Sequence, residues 1–150
     1  MFKLKVRLKI ILFIATILMP ATTFCYDPFC FEEAAMKYSI NPKLLRAISL
    51  VESNHNNNAI NWNKNGSYDY CHMQINSSWY KTIGHERWMS IANPCSCTMV
   101  GAEILKKCID RYGYTWEAIG CYNAVSKNKR AAYIRKVNNA LQRMNYGIYR

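Results

Sequence analysis

"VESNHNNNAINWNKNGSYDYCHMQINSSWY", residues 51–80, changes character repeatedly along its length. It leaves an apolar run at Val51-Glu52-Ser53, crosses a stretch that is almost all Asn, and turns at Asn65-Gly66-Ser67. It then closes on Met73-Gln74-Ile75-Asn76. Asn, Gly and Ser at this density mark a loop or a short hairpin. The segment therefore reads as a helix C-terminus feeding a small β-like excursion. It also holds two of the nine acidic residues of the chain, Glu52 and Asp69.

Working outward, Asx-Pro pairs punctuate the sequence at Asp27-Pro28, Asn41-Pro42 and Asn93-Pro94. Each offers a side-chain cap followed by proline at the first helical position. Helices are expected near 28–38, 42–53, 94–112, 116–122 and 129–144, with Gly113 stopping the longest. No repeat or flexible linker interrupts them. The fold class is mainly α (α+β), one domain over 26–150, with a small β-hairpin region beside the helix that ends at Ser53.

On that helix Leu44, Leu45, Ala47, Ile48 and Val51 form an apolar stripe. At about 100° per residue, Glu52 lies within ~20° of Leu45 and ~40° of Ile48. A carboxylate pointing along an apolar stripe has its pKa raised, as a general acid near neutral pH requires. The alternative is a Glu at a frayed helix end that swings into water. Asp69 follows a turn signal and sits among polar residues, where a carboxylate stays ionised. One buried and one solvated carboxylate form the pair used to cleave glycosidic bonds. Taken alone, an Asp at such a place is more often a turn residue than a catalytic one.

Composition narrows the partners. Met1–Lys9 carries four basic residues, residues 10–19 are an apolar run, and Pro20-Ala21-Thr22-Thr23 follows. This is the order of a secretory signal peptide, expected over 1–25, and its apolar run falls short of the roughly twenty residues that span a bilayer. Thr22-Thr23-Phe24-Cys25 is a poor lipoprotein box. Removing the leader takes the formal charge from +11 to +7. A basic exported domain is drawn to an anionic cell-wall polymer or membrane, and export argues against nucleic acid. Seven Cys in such a chain read as disulfides before metal ligands. A zinc site from Cys95, Cys97, Cys108 and His72 is disfavoured by the Cys-x-Cys spacing. No metal or cofactor is expected, and His72 reads as a polar space-filler. Cys97 and Cys108 lie three turns apart on one helix and cannot bridge each other.

Residues 51–80 resemble the active-site region of the lysozyme superfamily. Glu-Ser ending a helix, with Met-Gln-Ile-Asn about twenty residues later, is similar to goose-type lysozymes and family 1 lytic transglycosylases. "YGYTWEAIGCYNAV", residues 112–125, resembles a further motif of the transglycosylases. The likeness spans about residues 30–135. Small size, a leader, Asn-Pro-Cys and a basic C-terminal helix look most like the transglycosylases that clear peptidoglycan for type III secretion systems. "NGSYDY…QINS" adds a likeness to c-type lysozymes, which carry an Asp at this spacing.

The resemblance implies a lysozyme-like fold and an exported, periplasmic, monomeric enzyme. Its substrate would be peptidoglycan glycan strands, with a secretion-system subunit as a further partner. Glu52 would be the acid and then the base in a cleavage that leaves a 1,6-anhydro end, with Asp69 as second carboxylate. Ser53 would orient Glu52; Met73, Gln74, Asn76, Tyr122 and Asn123 would bind the sugar. Trp62, Trp79 and Tyr80 could stack on sugar faces, although such aromatics also serve as core. The resemblance also suggests a Cys30–Cys95 disulfide. Cys71 stands where the family has Gly and Cys121 where it has Ala, in motifs that face one another across the cleft. A Cys71–Cys121 bond is therefore expected, closing a loop of about fifty residues and worth ~2–4 kcal/mol. The alternatives are a hydrolytic muramidase, or a non-catalytic domain that binds peptidoglycan or a secretion subunit.

Overall fold

A computed structural model of the chain describes residues 27–124 and 126–145. Its elements are α1 (Phe31–Tyr38), α2 (Pro42–Ser53), β1 (Ile60–Trp62), β2 (Tyr68–Tyr70) and β3 (Ile75–Asn76), then a 3₁₀ turn (Ser77–Trp79), α3 (Tyr80–Ile83), α4 (His85–Ser90), α5 (Pro94–Tyr112), α6 (Trp116–Asn123) and α7 (Lys127–Asn145). The architecture is mainly α and lysozyme-like, with one small antiparallel sheet in the order β1-β2-β3. The leader expected over 1–25, with Cys25, lies outside the described residues.

Two of the three Asx-Pro pairs start helices. Asn41 accepts a hydrogen bond from the Lys43 N–H at 2.9 Å, and Asn93 accepts one from Ser96 at 3.1 Å, so proline opens α2 and α5. Asp27 does something else. Its carboxylate accepts from the Phe29 N–H at 3.0 Å and closes a turn. Cys30 then adopts a left-handed conformation, φ 51°, which keeps the helix from starting before Phe31. The short helices α3 and α4 were not expected; among their residues only Ile83 and Trp88 are buried, too few to show a helical period.

Helix α5 forms the spine. Cys97, Thr98, Val100, Gly101, Ala102, Ile104, Leu105 and Cys108 are all buried, because α1, α4, α6 and β3 pack around it. Gly101 is required by one of these contacts: a Cβ there would stand 2.8 Å from the Met73 methyl. Gly120 similarly lets α6 approach Arg130 on α7.

The disulfides revise one expectation. Cys30–Cys95 is formed as expected, with Cα atoms 5.0 Å apart. Cys71 does not reach Cys121. It bonds Cys97, and Cys121 bonds Cys108. The reason is that the hairpin turn and α6 each pack on α5, at different points along its length. Cys97 and Cys108, eleven positions apart, fall on nearly the same face of that helix, and each takes the cysteine nearest its own end. All three bonds therefore join a surrounding element to α5.

Candidate active site

The pairing register builds the floor of the site. Asn61 stands opposite Asp69 in β1–β2, and Asp69 opposite Asn76 in β2–β3. Side chains in one row across a sheet share a face, so Asn61, Asp69 and Asn76 all open onto one cleft of about 1080 Å³. Tyr68 and Tyr70 point the other way and pack against the core. Both oxygens of the Asp69 carboxylate are held: Asn76 donates to one at 2.7 Å and Asn63 to the other at 3.0 Å. The turn that carries Asn63 is closed by Ser67 and Gly66, the latter at φ 80°.

Glu52 enters the same cleft from the last turn of α2. It shares its face with Leu45 and Ile48, both fully buried, as the apolar stripe requires. Burial raises the Glu52 carboxyl from an ordinary 4.5 to about 7. The Tyr133 hydroxyl and the charge of Lys136 pull it down, while the charge of Asp69 pushes it up. Tyr133, on α7, donates to Glu52 Oε1 at 2.6 Å. With Oε1 engaged as acceptor, the acid proton belongs on Oε2. Burial and the nearby Glu52 charge hold the Tyr133 and Tyr122 phenols well above their usual range, so both remain protonated.

Gln74, Tyr122 and Asn123 line the cleft as well. Tyr122 donates to the Met73 carbonyl at 2.8 Å, fixing α6 against the turn before β3. Gln74 is held at φ 50° and donates to the Cys71 carbonyl at 2.7 Å while accepting from Asn61. A non-glycine residue in this conformation stores strain, and here it aims an amide into the cleft.

Met73, expected at the sugar, and Ser53, expected to orient Glu52, lie off the cleft. Met73 is fully buried against Gly101, and Ser53 donates to the His72 carbonyl at 2.9 Å, away from Glu52. Neither lines the cleft. Of the three aromatics, Trp79 does line it, Trp62 stays exposed beside Tyr68, and Tyr80 turns toward Trp88. His72 is fully buried in a closed network with Ser49, Thr98 and the Pro94 carbonyl, and burial lowers it to about 4. It is a neutral strut that takes no part in the cleft.

Sequence reasoning missed Tyr133 and the amides of Asn61 and Asn63. A signal for Tyr133 was present. It falls on one stripe with Arg130, Val137 and Ala140 in a strongly basic helix, and a buried tyrosine hydroxyl needs a partner.

A raised-pKa carboxyl and a held carboxylate lining one amide-rich cleft, on a mainly α scaffold, are the constellation that glycan-cleaving enzymes use. Comparison with known proteins makes this specific. The model of the transglycosylase SLT domain matches residues 29–144. The chain is 39% identical over 104 residues to Protein IpgF of Shigella flexneri, covering 67% of this chain and 68% of that protein. It is 39% identical over 105 residues to Invasion protein IagB of Salmonella typhimurium, covering 68% and 66%. A Peptidoglycan-binding-like protein of Escherichia coli O157:H7 is 35% identical over 149 residues, covering 89% and 88%. The chain belongs to the transglycosylase SLT family, and its activity is that of a peptidoglycan lytic transglycosylase. Its place of action is accordingly extracytoplasmic.

Proposed function

We propose that the protein cuts the β-1,4 bond between N-acetylmuramic acid and N-acetylglucosamine, leaves a 1,6-anhydro end, and thereby opens the wall locally for a secretion apparatus. The observation that carries the chemistry is the Glu52 carboxyl, raised to about 7 and, among the described residues, hydrogen-bonded at Oε1 alone. Protonated Oε2 donates to the bridging oxygen as the C1–O bond breaks, and the glucosamine leaves with a free 4-hydroxyl. The C6 hydroxyl oxygen then attacks C1 while the Glu52 carboxylate takes its proton. One proton is given and one returned, so no water is consumed. The Tyr133 hydrogen bond stabilises Glu52 in its ionised interval.

Asp69, held by Asn63 and Asn76, opposes the positive charge that develops at the sugar ring. Gln74, Asn76, Tyr122 and Asn123 position the substrate. The secretion role draws support from the relative named as an invasion protein, and the leader over 1–25 would deliver the enzyme to the periplasm as a monomer.

Mass spectrometry of fragments released from purified sacculi tests the reading: anhydro ends are expected from the wild type and none from Glu52→Gln. Retained lysis by a folded Glu52→Gln protein removes Glu52 as the acid. The Asp69 carboxylate also favours a second reading, hydrolysis, which would leave reducing ends. Asp69→Asn should lower kcat by roughly tenfold or more. Unchanged turnover would reduce Asp69 to a turn residue.

A further inference from the structure

Lys64 and Lys129 stand on the lining of the same cleft but come from separate parts of the fold, the β1–β2 turn and the first turn of α7. Both side chains are exposed, and neither makes an ion pair among the described residues. Arg130, one position on, is by contrast tied to Glu117. The first turn of α7 contains no acidic residue, although a helix N-terminus favours negative charge and disfavours Lys127 and Lys129. A local rule broken without a local partner points to a role outside the folded chain. Among the described residues it is Lys136 whose charge lowers the Glu52 pKa, so tuning the acid does not account for this pair. The cleft thus combines a floor of carboxylates and amides with two uncommitted ammonium groups.

We propose that Lys64 and Lys129 bind carboxylates of the stem peptides that branch from the muramic acid units of a strand lying in the cleft. This makes the enzyme selective for peptide-bearing strands over bare glycan. The inference rests on the reading of the cleft as a peptidoglycan site. Lysine suits such a contact, since a point charge on a flexible stem follows a mobile peptide better than a fixed bidentate fork. Because the contacts are exposed, they are screened by salt.

The test compares kcat/KM on solubilised peptidoglycan strands with that on the same strands after an amidase has removed the stem peptides. For the wild type at low salt a preference of about fivefold or more for peptide-bearing strands is expected, carried by KM and shrinking as salt is raised. Lys64→Met/Lys129→Met should bring that ratio close to one. The control Lys37→Met/Lys43→Met lowers the net charge equally at positions outside the cleft and should keep the preference. Equal turnover of the two substrates by the wild type overturns the proposal while leaving the cleavage reaction intact. So does loss of the preference in the control pair, which would assign it to overall charge. Failure of the wild type to cleave either substrate would instead remove the reading of the cleft itself.

Discussion

Tyr133 makes the Glu52 carboxyl asymmetric, and two predictions follow from that single hydrogen bond and its buried setting. The bond favours the ionised form, so Tyr133→Phe should raise the Glu52 pKa above its present value of about 7. The alkaline limb of the pH–rate profile, where the acid loses its proton, moves upward while kcat falls several-fold. An unmoved limb would show that the phenol does not sense the acid. The second prediction concerns stability. Between 4.5 and about 7 the unfolded chain releases a proton that folded Glu52 retains. Stability therefore falls as pH rises through this window and is level above it. At about 1.4 kcal/mol per unit, Glu52 costs the fold roughly 3–3.5 kcal/mol at pH 8 and almost nothing at pH 4. Denaturant titrations of Glu52→Gln should accordingly show a stabilisation relative to wild type that is larger at pH 8 than at pH 4 by this amount.

The turn between β2 and β3 shows what one element gains and loses by its cysteine. Cys71 sits at φ 63°, a conformation glycine adopts without strain. Its bond to Cys97 fastens the turn to α5 and, by chain entropy, contributes about 3–4 kcal/mol. Removing the bond as Cys71→Ala/Cys97→Ala loses that and keeps the backbone strain; Cys71→Gly/Cys97→Ala loses it and relieves the strain. The glycine variant should be the more stable of the two by about 1 kcal/mol in thermal unfolding. The same turn marks the limit of what sequence discloses. That the chain turned at Gly66, that α2 ended in an acid on its apolar stripe and that α5 began at Pro94 were legible, because caps, turns and helical period are local. The partner of Cys71 was not, because it depends on where along α5 the hairpin turn and α6 pack. Nor was the position of Ser53, whose hydroxyl could satisfy Glu52 or a carbonyl equally well until the turn at His72 was in place. Tyr133 escaped for the same cause: it meets Glu52 from 81 positions away.

At the scale of the whole molecule, the cleft is the gap between the sheet, the end of α2, α6 and α7, all gathered around α5. The three disulfides among the described residues converge on that helix, from Cys30, from Cys71 and from Cys121. Two of its cysteines, Cys95 and Cys97, are separated by one residue, so an unfolded chain offers Cys30 and Cys71 either partner almost equally. A formed helix does not. Positions two apart project roughly 200° from one another, which turns Cys95 toward the N-terminal segment and Cys97 toward the hairpin. Correct oxidation then depends on the helix existing before the bonds do, and the Asn93 cap with Pro94 behind it is what nucleates that end. Asn93→Ala should thus act on the route and not only on the stability of the product. Oxidative refolding followed by peptide mapping should show a larger transient share of the crossed Cys30–Cys97 and Cys71–Cys95 isomer. A disulfide shuffling catalyst should be needed to clear it. One asparagine side chain, remote from the sugar-cutting chemistry, would then act as proofreader of the covalent map on which that chemistry stands.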